Sequence, residues 1–181
     1  RLLSFYDTFG VNKNIHTING KSVPSSEIIV DAIDWDYLMK GNPVRFHGDF
    51  HFENIIYTNQ KKRKFIFLDW RQSFENLIDY GDIYYDLAKL LHGLIVPHQS
   101  VTSGNYKVVM SEGELSFDIK RPETYETCEQ LFYDWCKTNG LDTKKIKIIC
   151  GLIFLNIAPL HHFPYCIFLY ALGRQMLKDI K

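Results

Sequence analysis

The sequence predicts an α+β fold, mainly helical, in which two short β-hairpins sit between helices. Three observations carry that expectation. Apolar residues recur at helical spacing through Ile83, Leu87, Leu90, Leu91 and Leu94, and again along the stretches after Pro122. Two pairs of short apolar runs, Asn54 to Tyr57 with Lys64 to Leu68 and Tyr106 to Met110 with Leu115 to Ile119, are each joined by a polar turn. With 46% apolar and 15% aromatic residues, the 181 residues suffice to bury one core, so residues 1–181 are expected to form a single domain.

The elements follow in order. Residues 1–10 read as the end of a helix, stopped by Gly10 with Asn12 and Asn14 behind it. A polar stretch with Gly20 and Pro24 separates it from the next helix, capped by Ser25 or Ser26 and carried through Ile28, Ile29, Ala32 and Ile33 to Tyr37 and Leu38. Gly41-Asn42-Pro43 ends that helix, and Val44 to Phe46 reads as a short strand. The turn of the first hairpin, Thr58 to Arg63, is polar, and its basic run Lys61 to Lys64 reads as a solvated tip. A helix is expected over Tyr80 to Ile95, and the second hairpin turns through Ser111 to Glu114. The remainder reads as three helices: Pro122 to Thr138, stopped by Asn139-Gly140, Thr143 to Ala158, and Pro164 onward. His161 and His162 fall in the break between the last two. Adjacent helical residues point about 100° apart, so the pair suits a break better than a shared metal. Phe163, Tyr165, Phe168 and Tyr170 read as core, with the lining of an acceptor pocket or the caging of a quaternary ammonium as the alternative.

Charge and cysteine usage narrow the partners. Lys plus Arg equals Asp plus Glu, at 21 each, so no global field draws the chain to nucleic acid or an anionic membrane. The apolar run from Ile146 to Tyr170 is interrupted by Asn156, Pro159, His161, His162 and Pro164, which excludes it as a straightforward membrane span. Cys128, Cys136, Cys150 and Cys166 form no C-x-x-C pair, and three lie in apolar helical stretches, so reduced thiols and a cytoplasmic location are expected. The chain opens at Arg1, without an initiator Met, and is expected to be a piece of a longer protein.

The chemistry concentrates in H-G-D-F-H-F-E-N, His47 to Asn54. This fits H-x-D-x-x-x-x-N, the spacing of a kinase catalytic loop, in which the Asp accepts the proton of the substrate hydroxyl and the Asn binds Mg²⁺. Such a match arises by accident in a chain of this length on the order of one time in a hundred. Two further elements follow in the order a kinase requires. Leu68-Asp69-Trp70 ends the strand after the hairpin, where a carboxylate on rigid backbone can bridge Mg²⁺ to nucleotide phosphates. Gly81-Asp82-Ile-Tyr-Tyr-Asp86-Leu-Ala88 opens an amphipathic helix.

Together these three elements resemble the aminoglycoside phosphotransferase and choline kinase family, small-molecule kinases of protein-kinase-like fold. The likeness is close over Val44 to about Leu91. It implies Asp49 as catalytic base, Asn54 and Asp69 as ligands of Mg²⁺ with ATP as co-substrate, and Asp82 and Asp86 as organisers of the loop and helix. It further implies that the chain is the mainly helical C-terminal lobe. The 46 residues before His47 read as helical, so the β-rich lobe that covers the phosphates is expected to lie outside this chain. Arg71 stands where members of the family often carry an acid soon after the Asp-Trp pair.

The leading expectation is therefore ATP-dependent phosphoryl transfer to a hydroxyl of a sugar, an amino alcohol such as choline, or an aminoglycoside. A metal-dependent hydrolase using Asp49, His51 and Asp69 is the alternative enzyme, and a nucleotide-binding module without turnover the non-enzymatic one. His47 is read as a histidine that hydrogen-bonds backbone near the loop, since Asp49 already supplies the base.

Overall fold

The computed structural model describes residues 2–11, 13–59 and 64–180, and shows a mixed α+β arrangement with the longer helices in the C-terminal half. The tip of the first hairpin, with Lys61 to Arg63, lies outside the described residues. Eight helices are named here: α1 Leu2–Phe9, α2 Ser26–Asp31, α3 Trp35–Met39, α4 Ile83–Ile95, α5 His98–Thr102, α6 Glu123–Thr138, α7 Thr143–Ile157 and α8 Tyr165–Leu177. The strands are β1 Thr17–Ile18, β2 Lys21–Ser22, β3 Pro43–Val44, β4 Ile55–Thr58, β5 Lys64–Phe67, β6 Gly81–Asp82, β7 Tyr106–Ser111 and β8 Glu114–Ile119.

The core is helical. α4, α7 and α8 pack together and bury Leu91, Ile146, Phe154, Ile167 and Leu169. Fully burying a side chain of this size contributes about 1.5–3 kcal/mol. α7 and α8 approach closely because glycines meet there: a Cβ on Gly173 would lie 3.0 Å from the Gly151 carbonyl oxygen and 2.9 Å from Leu155 Cγ. The second hairpin covers α8, with Phe117 edge-on to Phe168 at 5.2 Å. Tyr165, Phe168 and Tyr170 are buried core residues, while exposed Phe163 stacks on Phe9 at 5.9 Å, so these four do not form a cage. Among the described residues no helix is long and apolar enough to cross a membrane. All four cysteines are free, three of them buried and Cys128 exposed.

Both hairpins form where the alternation of apolar runs and polar turns places them, with registers Ile55↔Phe67 and Tyr106↔Ile119. Three expectations need correction. The segment before His47 is not helical throughout, because β1 pairs in parallel with β8 and antiparallel with β2, extending the second hairpin to the four-stranded order β2-β1-β8-β7. Two-residue strands carry no alternation to read, so only the partner strand reveals them. The helix expected through Tyr37 breaks after Asp31, since Asp34 caps a new helix by accepting from the Tyr37 N–H at 2.9 Å. α4 starts at Ile83 rather than Tyr80, because Tyr80 precedes β6 and Asp82 is the N-cap.

Candidate active site

The loop from His47 to Asn54 is wired from α4. β3 pairs antiparallel with β6, Val44 opposite Gly81, which sets the entry to the loop beside the start of α4. Asp82 holds the corner: its side chain accepts from the N–H groups of Asn42 at 3.0 Å and Tyr84 at 3.1 Å. One turn on, buried Asp86 accepts from the N–H of His47 at 2.6 Å and of Gly48 at 2.8 Å. Two charge-assisted bonds to one carboxylate fix the peptide plane just before Asp49, each stronger than a neutral bond. Gly48 adopts φ +82, and a Cβ there would lie 2.5 Å from Arg71 Cγ, so only glycine lets the loop pass under the Arg71 stem.

His47 behaves as its sequence context suggests. Its Nδ1 accepts from the Asp49 N–H at 3.3 Å, and its ring packs on Trp70 at 4.9 Å and Phe50 at 5.6 Å. An acceptor at Nδ1 places the ring proton of the neutral form on Nε2, which is buried. His47 thus supports the loop and leaves the open face to Asp49.

Asn54 closes the loop as the last residue of a short 3₁₀ turn, Phe52–Asn54. Its amide nitrogen donates to the Asp49 carbonyl at 3.0 Å and approaches His51 Nε2 at 3.2 Å. His51 Nδ1 lies 2.8 Å from Glu53 Oε2. A proton on Nδ1 satisfies the Glu53 contact and leaves Nε2 to accept from Asn54. The same Nε2 also lies 3.5 Å from Asp49 Oδ2, so the His51 ring stands between Asn54 and the Asp49 carboxylate. With its nitrogen so engaged, Asn54 has Oδ1 as the atom able to meet a cation.

Asp69 follows the base of the first hairpin. The Leu68 N–H donates to the Asn54 carbonyl at 2.8 Å, which ties the residue before Asp69 to the end of the loop. Asp69 itself has φ +54, a left-handed conformation uncommon outside glycine that turns the chain sharply out of β5. The Arg71 N–H then returns to the His47 carbonyl at 2.8 Å. Asp49 and Asp69 consequently line one open cavity of about 610 Å³, together with Trp70, Arg71, Gln72 and Ser73. Asn54 is held against Asp49 but does not line that cavity. Among the described residues, no three His, Cys, Asp or Glu side chains converge as a metal site. A second cavity, about 570 Å³ between residues 9–16 and the tip of the second hairpin, shares no residue with this one.

The electrostatics around Asp49 were only partly legible. Lys89 Nζ lies 2.8 Å from Asp49 Oδ1 with the side chain only 15% exposed, and Arg71 Nη2 lies 3.6 Å from Oδ2. Burial alone would raise the Asp49 carboxyl, but the Lys89 hydrogen bond and charge, with His51 and Arg71, hold it below the ordinary carboxylate value. Asp49 is therefore ionised at neutral pH. Lys89 escaped the sequence reading, yet a signal existed: it lies three residues after Asp86 on the same face of α4, and Asp86 faces the loop.

No curated protein and no solved structure matches the chain significantly. A family profile described as the phosphotransferase enzyme family (APH) does match, over residues 26–130. That span is more than half of the chain and contains Asp49, Asn54, Asp69, Asp86 and Lys89, the groups that the fold gathers around one loop. The chain therefore belongs to the phosphotransferase enzyme family.

Proposed function

We propose that this chain transfers the γ-phosphoryl group of ATP to a hydroxyl of a small molecule, and that it supplies the catalytic lobe of a larger phosphotransferase. The observation that carries this reading is the shared cavity of Asp49 and Asp69 beside an Asn54 anchored to the Asp49 carbonyl. Phosphoryl transfer asks a protein chiefly for positioning and charge compensation. Asp49, ionised and open on one side, takes the proton of the acceptor hydroxyl as that oxygen attacks phosphorus. Lys89 and Asp86 keep the carboxylate and its loop from turning away.

Asn54 Oδ1 and the Asp69 carboxylate are the groups that would hold Mg²⁺. Both are hard oxygen donors, and two such groups suit an ion whose remaining positions are filled by phosphates and water. When bound, the ion neutralises phosphate charge. The four free thiols fit a reducing compartment, and we place the reaction in the cytoplasm.

The test is product formation from γ-labelled ATP with a panel of hydroxyl compounds, comparing wild type with Asp49→Asn and Asp69→Ala. Label transfer that both substitutions abolish supports the reading. Transfer that survives Asp49→Asn unchanged removes Asp49 as the base.

A further inference from the structure

Next to the cavity of Asp49 and Asp69 lies another, about 640 Å³ in volume and lined by Arg45, Phe46, Trp70, Arg71, Ile78 and Asp79. It shares Trp70 and Arg71 with its neighbour and contains neither Asn54 nor Asp69. From these residues, we propose that this cavity is the subsite for an anionic group, a carboxylate or a phosphate, on the acceptor molecule whose hydroxyl meets Asp49. The word acceptor rests on the phosphotransfer reading above; the anion site rests on the residues themselves.

Three observations support it. Arg71 is not a freely waving surface side chain, although it is 64% exposed: its stem lies across Gly48, where a Cβ would be 2.6 Å from Arg71 Cβ, and its N–H is bonded to the loop. Its guanidinium is thereby held at the junction of the two cavities, 3.6 Å from Asp49 Oδ2, too far for a strong hydrogen bond. Arg45, from the strand side of the loop, faces the same cavity and has no carboxylate partner among the described residues. Guanidinium groups bind carboxylate and phosphate in a planar, bidentate way, and two of them face this space against one acid, Asp79. The volume suits a small metabolite, and Phe46, Trp70 and Ile78 supply the apolar wall such sites usually have.

The same arrangement disfavours a cationic acceptor. An ammonium on a molecule presenting its hydroxyl to Asp49 Oδ2 would lie against Arg71, with the charge of Lys89, 2.8 Å from Oδ1, close behind. An anion in the neighbouring cavity would instead draw Arg71 toward itself and leave Oδ2 to the incoming hydroxyl.

The experiment is calorimetric binding to the full chain at constant ionic strength, using gluconate, glucose and glucosamine as one series and glycerol 3-phosphate and glycerol as a second. The expected result is an anion preference of at least about tenfold in Kd in one series, with glucosamine no better than glucose. Arg45→Glu and Arg71→Glu should each abolish that preference, and Arg71→Lys should keep part of it. Arg45 is exposed, so its substitution tests the site even where Arg71→Glu disturbs the loop. Equal binding of charged and neutral probes in both series, preference for glucosamine, or insensitivity to Arg45→Glu overturns the proposal. So does displacement of the bound anion by tripolyphosphate, which would assign the arginines to the nucleotide. Asp49→Asn should leave anion binding within about twofold while stopping phosphate transfer, so binding decides the anion site and turnover separately decides the kinase reading.

Discussion

Arg174 and the Asp49 cluster both hold charge away from bulk water, but in opposite ways. Arg174 on α8 is fully buried and donates to main chain, to the carbonyls of Val11, Ile15, Val23 and Pro24 at 2.7–3.2 Å. All three of its nitrogens donate, and its effect is to strap Val11, Ile15, Val23 and Pro24 onto the C-terminal helix. Around Asp49 the charges face one another, Lys89 at 2.8 Å and Arg71 at 3.6 Å, with one side open to a cavity. A closed set of charges holds the fold, whereas an open set retains capacity for a ligand.

The sharpest way to break that contrast is to remove the strap. Arg174→Leu takes their donor from three buried carbonyls and the part-buried one of Pro24, and should destabilise the chain by about 4 kcal/mol, read as a lower urea midpoint. The loss should leave the geometry of the loop at Asp49 unaltered in whatever fraction remains folded. Next in size is Asp86→Ala, which leaves the N–H groups of His47 and Gly48 without their acceptor. A loss of about 3 kcal/mol is expected, together with turnover, because Asp86 belongs to both fold and site. A drop in turnover without one in stability would place Asp86 in the chemistry alone.

Asp49→Asn should behave in the opposite way to Arg174→Leu. Turnover falls at least about a hundredfold, close to 2.7 kcal/mol on the barrier, while the urea midpoint changes little. If the midpoint falls as far as for Arg174→Leu, the two clusters are not different in kind.

The smallest effect concerns a second closed set. Asp142 caps α7 by accepting from the N–H groups of Lys144 and Lys145 and takes a hydrogen bond from the Tyr37 hydroxyl. Burial would raise its carboxyl, but the Tyr37 bond, the two backbone bonds and the Lys145 charge leave it below the ordinary value. The folded value is depressed, so the contribution is fully present above the unfolded carboxyl pKa of about 3.9 and is lost as pH falls through the lower folded value. Asp142→Ala should cost about 1 kcal/mol at neutral pH, and the difference from wild type should shrink below about pH 4 in urea titrations. A difference constant down to pH 2 would show that charge plays no part in the cap.

Local pattern reached far along this chain. The hairpins over residues 55–67 and 106–119 were legible because apolar runs flank polar turns, and α4, α6, α7 and α8 because their apolar residues keep helical spacing. That Asp69 and Asp86 would gather at the loop from His47 to Asn54 was legible because the three motif elements follow one another at the spacing of a single family pattern. The helices and hairpins depend on neighbours within one element, and the motif spans no more than the 39 positions that separate His47 from Asp86.

Pairing across long separations was decided elsewhere. Nothing near Thr17 announces a parallel partner at Glu114, and nothing near Arg174 announces four carbonyls some 150–163 residues earlier. Lys89 lay outside the motif, and Arg71 stood out only as a base where an acid is common, until the fold set both beside one carboxylate. A side chain's type and its local period are properties of the sequence, and they determined the helices, the hairpins and the motif of the loop from His47 to Asn54. Which charges face one another follows from how those elements pack, and a one-dimensional pattern carries no distance between residues it does not place side by side.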